Sequence, residues 1–256
     1  MRSSSIEEAL LLSKKFGFIS KAVFWDFYCS EGKSVRYQNW SELKNSSFFT
    51  AYSNGSGVPD FLSLSSKGKQ RMGQDSIGQI VPTYLLHDEI VMRFYLHLKN
   101  QQMLRQSWSE AELKSDRVIA VKGLGDGIIS KLPDLLFDVT GGSNFIRCAL
   151  EIERTRKSQA RYKTMRRAYQ RARNVDLVLF GVADEKIEMV ISEEFRSGGL
   201  SSANQEIGFF DLDDFSRRHL DCELRIAGRK TILRKFFNSL AVSVKSAPEN
   251  HRNVSG

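Results

Sequence analysis

The sequence predicts a mixed α/β (α+β) protein in two units, and three observations carry that prediction. Short helical patterns fill the first 75 residues. A polar, glycine-bounded stretch from Gly73 to Gly78 then interrupts the chain, and beyond it strand and helix patterns follow one another through residues 131 to 182. Period-two strands interleaved with period-3.6 helices are how a sheet covered by helices is written in sequence.

In the first unit, Ile6, Ala9, Leu10 and Ser13 repeat at helical spacing and Gly17 supplies a stop. Ser20 is placed to cap a second helix from Lys21 to Cys29, and Gly32 breaks the chain again. A third helix is predicted from Ser34 to Tyr52, anchored by Val35, Trp40, Leu43, Phe48 and Phe49. A strand Phe61–Leu64 then leads into the basic turn Ser65 to Lys69. Three helices followed by a basic hairpin is the order of a winged helix-turn-helix, the module that lays one helix in the DNA major groove. Residues 1–76 are therefore read as a DNA-binding domain with Arg36, Gln38, Lys67 and Lys69 as contacts. A plain helical bundle is the other reading of the same helices.

The second unit, residues 80–243, opens with a long helical pattern from Tyr84 to Leu98. From Leu132 to Val139, alternation sets Asp134 and Asp138 on one face, with Pro133, Leu135, Phe137 and Val139 on the other. From Phe145 to Glu153, Ile146, Cys148, Leu150 and Ile152 share a face, and Arg147, Ala149, Glu151 and Glu153 share the opposite one. The turn residues Gly141 to Asn144 fold these strands into an antiparallel pair, which brings Asp134 beside the two glutamates. Converging carboxylates can hold a hard divalent cation, Mg²⁺ or Mn²⁺.

Positive charge follows at once. Arg154 to Arg173 contains nine basic residues (Arg154, Arg156, Lys157, Arg161, Lys163, Arg166, Arg167, Arg171 and Arg173) and no acid. Tyr162, Met165, Tyr169 and Ala172 form one apolar stripe, so the remainder of that helix is cationic. Solvated helix faces usually mix signs, whereas a face of one sign fits a phosphate backbone. Val175 to Val182 is an apolar run suited to a buried strand. Residues 244–256 are polar and read as a disordered tail.

Pro133-Asp134, then Glu151-Ile152-Glu153, then Lys157 resembles the metal site of the restriction endonuclease-like nucleases, whose pattern is PD followed by D/E-x-K. Glu153 stands where that pattern has lysine. The wider run from Leu86 through Trp108 to Leu113, the PD pair, Glu-x-Glu and Lys157 to Tyr162 is similar to MobC-type plasmid relaxases and the replication-relaxation family, over roughly residues 80 to 182. The resemblance implies a restriction endonuclease-like mixed sheet and Mg²⁺- or Mn²⁺-dependent nicking of one DNA strand at an origin. Asp134 and Glu151 would ligate the metal, Glu153 would ligate it or take a proton from the attacking water, and Lys157 or Lys163 would stabilise the phosphate charge. Glu89 or Glu112 would complete the metal shell, each with a structural reading beside it. Tyr162 and Tyr169 are candidate nucleophiles for a covalent mechanism, with core packing as the alternative role. DNA is the implied partner, together with accessory mobilisation proteins. A non-catalytic replication initiator or transcription regulator on the same scaffold is the alternative function, kept open by Glu153.

Composition agrees with these expectations. A net charge of +8 over 256 residues favours an anionic partner. No apolar run approaches the roughly 18 residues of a membrane span and Met1 to Glu8 lacks a signal-peptide core, so a cytoplasmic location without membrane contact is expected. Three scattered cysteines make neither a disulfide framework nor a zinc cluster. Four histidines without ligand spacing argue against a histidine-held metal.

Overall fold

The computed structural model describes residues 3–29, 32–52, 60–73, 84–125, 131–141, 144–197 and 205–243. The chain divides into two units, Met1–Leu96 with Trp108–Asp116, and His97–Ser107 with Arg117–Gly256.

The first unit begins with α1 (Ser3–Phe16), which stops where Gly17 takes φ +86°, a conformation costly for any side chain. Then come β1 (Ile19–Ser20) and α2 (Lys21–Tyr28), whose N-cap is Ser20: its hydroxyl accepts the Val23 N–H. Helix α3 (Lys33–Asn45) is shorter than the pattern predicts, because Phe49–Tyr52 is a strand, β2. It pairs antiparallel with β3 (Phe61–Leu64), and β3 pairs with β1, giving the order β1-β3-β2. The predicted basic turn at Ser65 to Lys69 is instead helix α4 (Ser66–Arg71), capped by the Ser65 hydroxyl. Gly68 in that helix lies against the Phe48 carbonyl, which a β-carbon would meet at 2.2 Å. Leu10, Ile19, Phe24, Leu43 and Phe61 centre the core.

That core also takes in Leu85, Met92 and Leu96 of α5 (Leu85–Asn100). The junction predicted near residues 75 to 80 lies outside the described residues, and by packing the first unit continues to Leu96. A long helix hides such a boundary, since no turn signal marks it. The predicted tail, residues 244–256, is also outside the described residues.

Strand β4 (Leu104–Ser109) runs into α6 (Glu110–Ser115) through a capping box of Ser109 and Glu112. Next come α7 (Arg117–Leu124), β5 (Leu135–Gly141), β6 (Asn144–Glu153), α8 (Gln159–Arg171), β7 (Leu177–Val182), α9 (Glu185–Ser197), β8 (Glu206–Asp211), α10 (Leu212–Arg218), β9 (Glu223–Ile226), β10 (Arg229–Ile232) and α11 (Leu233–Ser243). The seven strands form one sheet in the order β10-β9-β8-β7-β6-β5-β4. Strand β7 is parallel to both β6 and β8, with α8 and α9 as the crossover helices, while β5–β6, β8–β9 and β9–β10 are antiparallel. Every residue of β7 is buried, as a central parallel strand covered on both faces requires. Ile187 to Ile191, whose apolar residues also suit a strand, lies in α9.

The expected hairpin of β5 and β6 is present, with Leu135 opposite Leu150 and Asp138 opposite Arg147. Asp138 is fully buried and takes two bonds from the Arg147 guanidinium, Nε to Oδ1 at 2.7 Å and Nη2 to Oδ2 at 2.9 Å. Arg147 also caps the end of α7 by donating to the Lys122 and Gly123 carbonyls. The pair is structural. Replacing Arg147 with Met leaves the buried Asp138 carboxylate with the neutral Gln106 amide but no charged partner, takes a donor from two helix-end carbonyls, and should lower stability by about 3–5 kcal/mol. Urea unfolding followed by circular dichroism measures this; a loss under about 1 kcal/mol would contradict the assignment. Among the described residues, no helix is long and apolar enough to cross a membrane.

Candidate active site

The register that pairs Leu135 with Leu150 places Asp134 one step further on, beside Glu151. Backbone bonds fix it there: the Asp134 N–H donates to the Leu150 carbonyl at 3.0 Å, and its Oδ2 accepts the Ile152 N–H at 2.7 Å. Glu151 and Glu153 lie two residues apart on β6, so both project to the same face of the sheet. Each is only 1 % exposed.

Buried carboxylates need compensation, and three side chains provide it. Lys131 Nζ donates to Glu151 Oε2 at 2.7 Å and lies 3.8 Å from Asp134 Oδ1, so the two acids face one ammonium. The Tyr169 hydroxyl, from α8, donates to Glu151 Oε1 at 2.5 Å. Lys157 Nζ lies 2.8 Å from Glu153 Oε2 without the alignment of a hydrogen bond, so that oxygen is paired by charge alone. The cluster holds three carboxylates against two ammoniums.

Burial pushes the Glu151 carboxyl up to about 7, against the opposing pull of Lys131. The folded metal-free chain thus keeps a proton there that the unfolded chain, with a carboxyl near 4.5, has released. Stability should fall as pH rises from about 5 to about 7.5, by roughly 3 kcal/mol from this group. Thermal melts in chelator at pH 5 and pH 8 check the sign. The Glu151→Gln protein should lose most of that slope, and an equal slope in both proteins would contradict the proton's location.

The residues named from sequence divide into several groups. Asp134 and Glu151 meet at Lys131, while Glu153, on the same face of β6, pairs with Lys157. Lys163 joins neither group, because it lies on the outward side of α8. Glu89 and Glu112 belong to the first unit, where each has a structural task. Glu89 accepts from Arg93 at 2.9 Å, and Arg93 also reaches Asp26. Glu112 binds Lys15 at 2.6 Å and closes its capping box on the Ser109 N–H. Tyr162 and Tyr169 are buried in the stripe under α8, where Tyr162 accepts the Lys157 N–H at 3.1 Å. Burial raises both phenols above their ordinary range, the opposite of what a nucleophile needs.

Helix α8 presents Arg161, Lys163, Arg167 and Arg171 outward, with Arg154 and Arg156 exposed just before it. None of the six has an acidic partner among the described residues. Lys163, Arg167 and Arg171 repeat every four residues and so line up along the helix. Arg166 differs from the rest. It is turned inward and donates to the buried Glu194 of α9 at 3.0 Å, which removes it from the predicted phosphate contacts. In the first unit, Arg36 lies on the inner side of α3 with Trp40 and Leu43, while Gln38 is exposed. Lys67 is exposed over the Phe48 ring and Lys69 is half-buried, both on α4 rather than on a turn.

Sequence reasoning gives no role to Lys131. Its signal is its place three residues before Asp134, where the chain runs into β5.

Among the described residues no group of three His, Cys, Asp or Glu side chains is placed to hold a metal ion. The donor set is narrower: Asp134 and Glu151 facing one cation, with Glu153 Oε2 nearby lacking a hydrogen bond. Carboxylate oxygens of this kind suit a hard divalent cation. No family model matches the chain, and no curated protein or solved structure matches it.

Proposed function

We propose that this chain is a metal-dependent, site-specific DNA nicking endonuclease or relaxase of a mobile element. The convergence of Asp134 and Glu151 on a single cation, with the outward cations of α8 starting a few residues further along the chain, is the observation that carries the reading. Asp134 and Glu151 would hold Mg²⁺ or Mn²⁺, with Glu153 as a further oxygen donor or proton acceptor. Such an ion, when bound, polarises a phosphate and lowers the pKa of a water. Lys157 sits beside Glu153, where its charge can neutralise an incoming phosphate. Accessory mobilisation proteins belong to this reading through the resemblance alone.

We read the first unit as the DNA-recognising part: its order, helix, strand, helix, helix and hairpin, with β1 paired to β3, is compatible with a winged helix-turn-helix, in which α3 would be the recognition helix. The outward face of α3 carries Ser34, Tyr37, Gln38 and Ser41. Gln38→Ala should reduce discrimination between a site selected from random DNA and unselected DNA by about 1–3 kcal/mol, and affinity for unselected DNA much less. Competition binding measures both, and an unchanged preference would remove α3 from base readout.

One observation favours a second reading, a non-catalytic DNA-binding regulator on the same scaffold. Lys131, Tyr169 and Lys157 already compensate the acids, and Glu153 occupies the usual lysine position. Incubating the full chain with supercoiled plasmid in Mn²⁺, Mg²⁺ or EDTA separates the two. Open circles that form only with the metal support the enzyme; tight binding without open circles in any condition supports the regulator.

A further inference from the structure

The position of Lys131 bears on how the proposed centre takes up its ion, and the role given to it here rests on that reading of the centre. Lys131 is 20 % exposed, its Nζ is 2.7 Å from Glu151 Oε2 and 3.8 Å from Asp134 Oδ1, and it also donates to the Leu132 carbonyl at 3.0 Å. The ammonium therefore stands between the two oxygens that a divalent ion would need. A buried acid pair without that charge would carry an uncompensated cost. An ammonium and a divalent ion held on the same oxygens repel one another strongly in a poorly hydrated site, so the two compete for the acid pair.

We propose that Lys131 is a built-in counter-ion of the acid pair, which a divalent cation has to displace, and that Lys131 once displaced is available to meet a phosphate. The lysine lies before β5 begins at Leu135, and its ammonium meets β6 through the Glu151 carboxylate and not through a strand-pairing bond, so its side chain can leave without unpairing the sheet. The exchange is between cations and transfers no electrons. It makes Lys131 an opponent of metal binding and a helper of phosphate binding, roles that a merely structural lysine would not combine.

The test is Mn²⁺ binding to the full chain without DNA, read by the loss of the free-ion paramagnetic resonance signal. Lys131→Met should bind Mn²⁺ at least about tenfold more tightly than the unaltered chain, since removing a competing unit charge at contact distance is worth more than the 1.4 kcal/mol of one decade. Asp134→Asn added to Lys131→Met should abolish that gain, which assigns the ion to this site. Equal or weaker binding by Lys131→Met, or no binding by either protein, would overturn the proposal. A second measurement needs no substitution: acylation of Lys131 in the unaltered chain, followed by mass spectrometry, should run several-fold faster in saturating Mn²⁺ than in potassium chloride of the same ionic strength. Unchanged or slower acylation would overturn the proposal even if Lys131→Met failed to fold. Plasmid nicking reports separately on the enzyme reading. Tight Mn²⁺ binding by Lys131→Met with no nicking by the unaltered chain would retain the counter-ion and sink the nuclease.

Discussion

Asp134→Asn and Glu151→Gln should each slow nicking by about 10³-fold or more while leaving DNA affinity within about threefold. The first number follows from what a metal-ligating carboxylate supports, several kcal/mol of charge stabilisation at the phosphate, at 1.36 kcal/mol per decade of rate. The second follows from geometry: both acids are nearly buried, and the exposed cations of α8 lie elsewhere on the surface. Each change keeps the size of the side chain, so the Tyr169 and Ile152 partners still find an oxygen. Single-turnover nicking and gel-shift affinity, measured on the same preparations, test the pair of claims. A rate within tenfold of the unaltered chain for both variants would show that the acids are structural.

Replacing Arg161, Lys163, Arg167 and Arg171 together by Gln should lower the slope of log K against log salt by about 3 to 4 units on duplex DNA. Each phosphate contact releases about 0.9 counterion, so four contacts account for the change. Glutamine keeps helix propensity, and relief of repulsion along the row leaves folding unharmed or improved. Arg166→Gln serves as the contrast. It leaves the slope nearly intact but destabilises the unit by about 3–5 kcal/mol, because Glu194 is left buried without its partner. If the fourfold variant kept the original slope, α8 would be a solvated face and not a phosphate grip.

How much of this is legible in the sequence depends on how local the determining physics is. The β5–β6 pair, its register and its shared acid face follow from period-two alternation around a glycine turn, since both signals lie close together in the chain. Helix α2 follows from Ser20 as a cap, for the same reason. The apolar pattern overextends α3, because Phe48 and Phe49 fit a helix stripe as well as a strand and only the pairing of β2 with β3 decides between them. Ile187 to Ile191 alone suits a strand, whereas the whole of α9 has one buried face. Charge is harder still. The arginines of α8 look alike in sequence, and Arg166 is set apart only by Glu194, 28 residues away on another helix. Resemblance draws Glu89 and Glu112 toward a metal, whereas Arg93, Lys15 and a capping box explain them. The nuclease pattern seeks its lysine after the glutamate and so passes over Lys131; space, not sequence order, decides which ammonium reaches a carboxylate.

On this reading, Asp134 and Glu151 form a cation site in which Lys131 stands until a divalent ion arrives. Anomalous diffraction from crystals grown in Mn²⁺ tests it most directly. The expected result is an anomalous peak at the Asp134 and Glu151 carboxylates, with the Lys131 ammonium withdrawn from Glu151 Oε2. Saturating Mn²⁺ with no peak there, and Lys131 still on Glu151 at the 2.7 Å seen now, would contradict it.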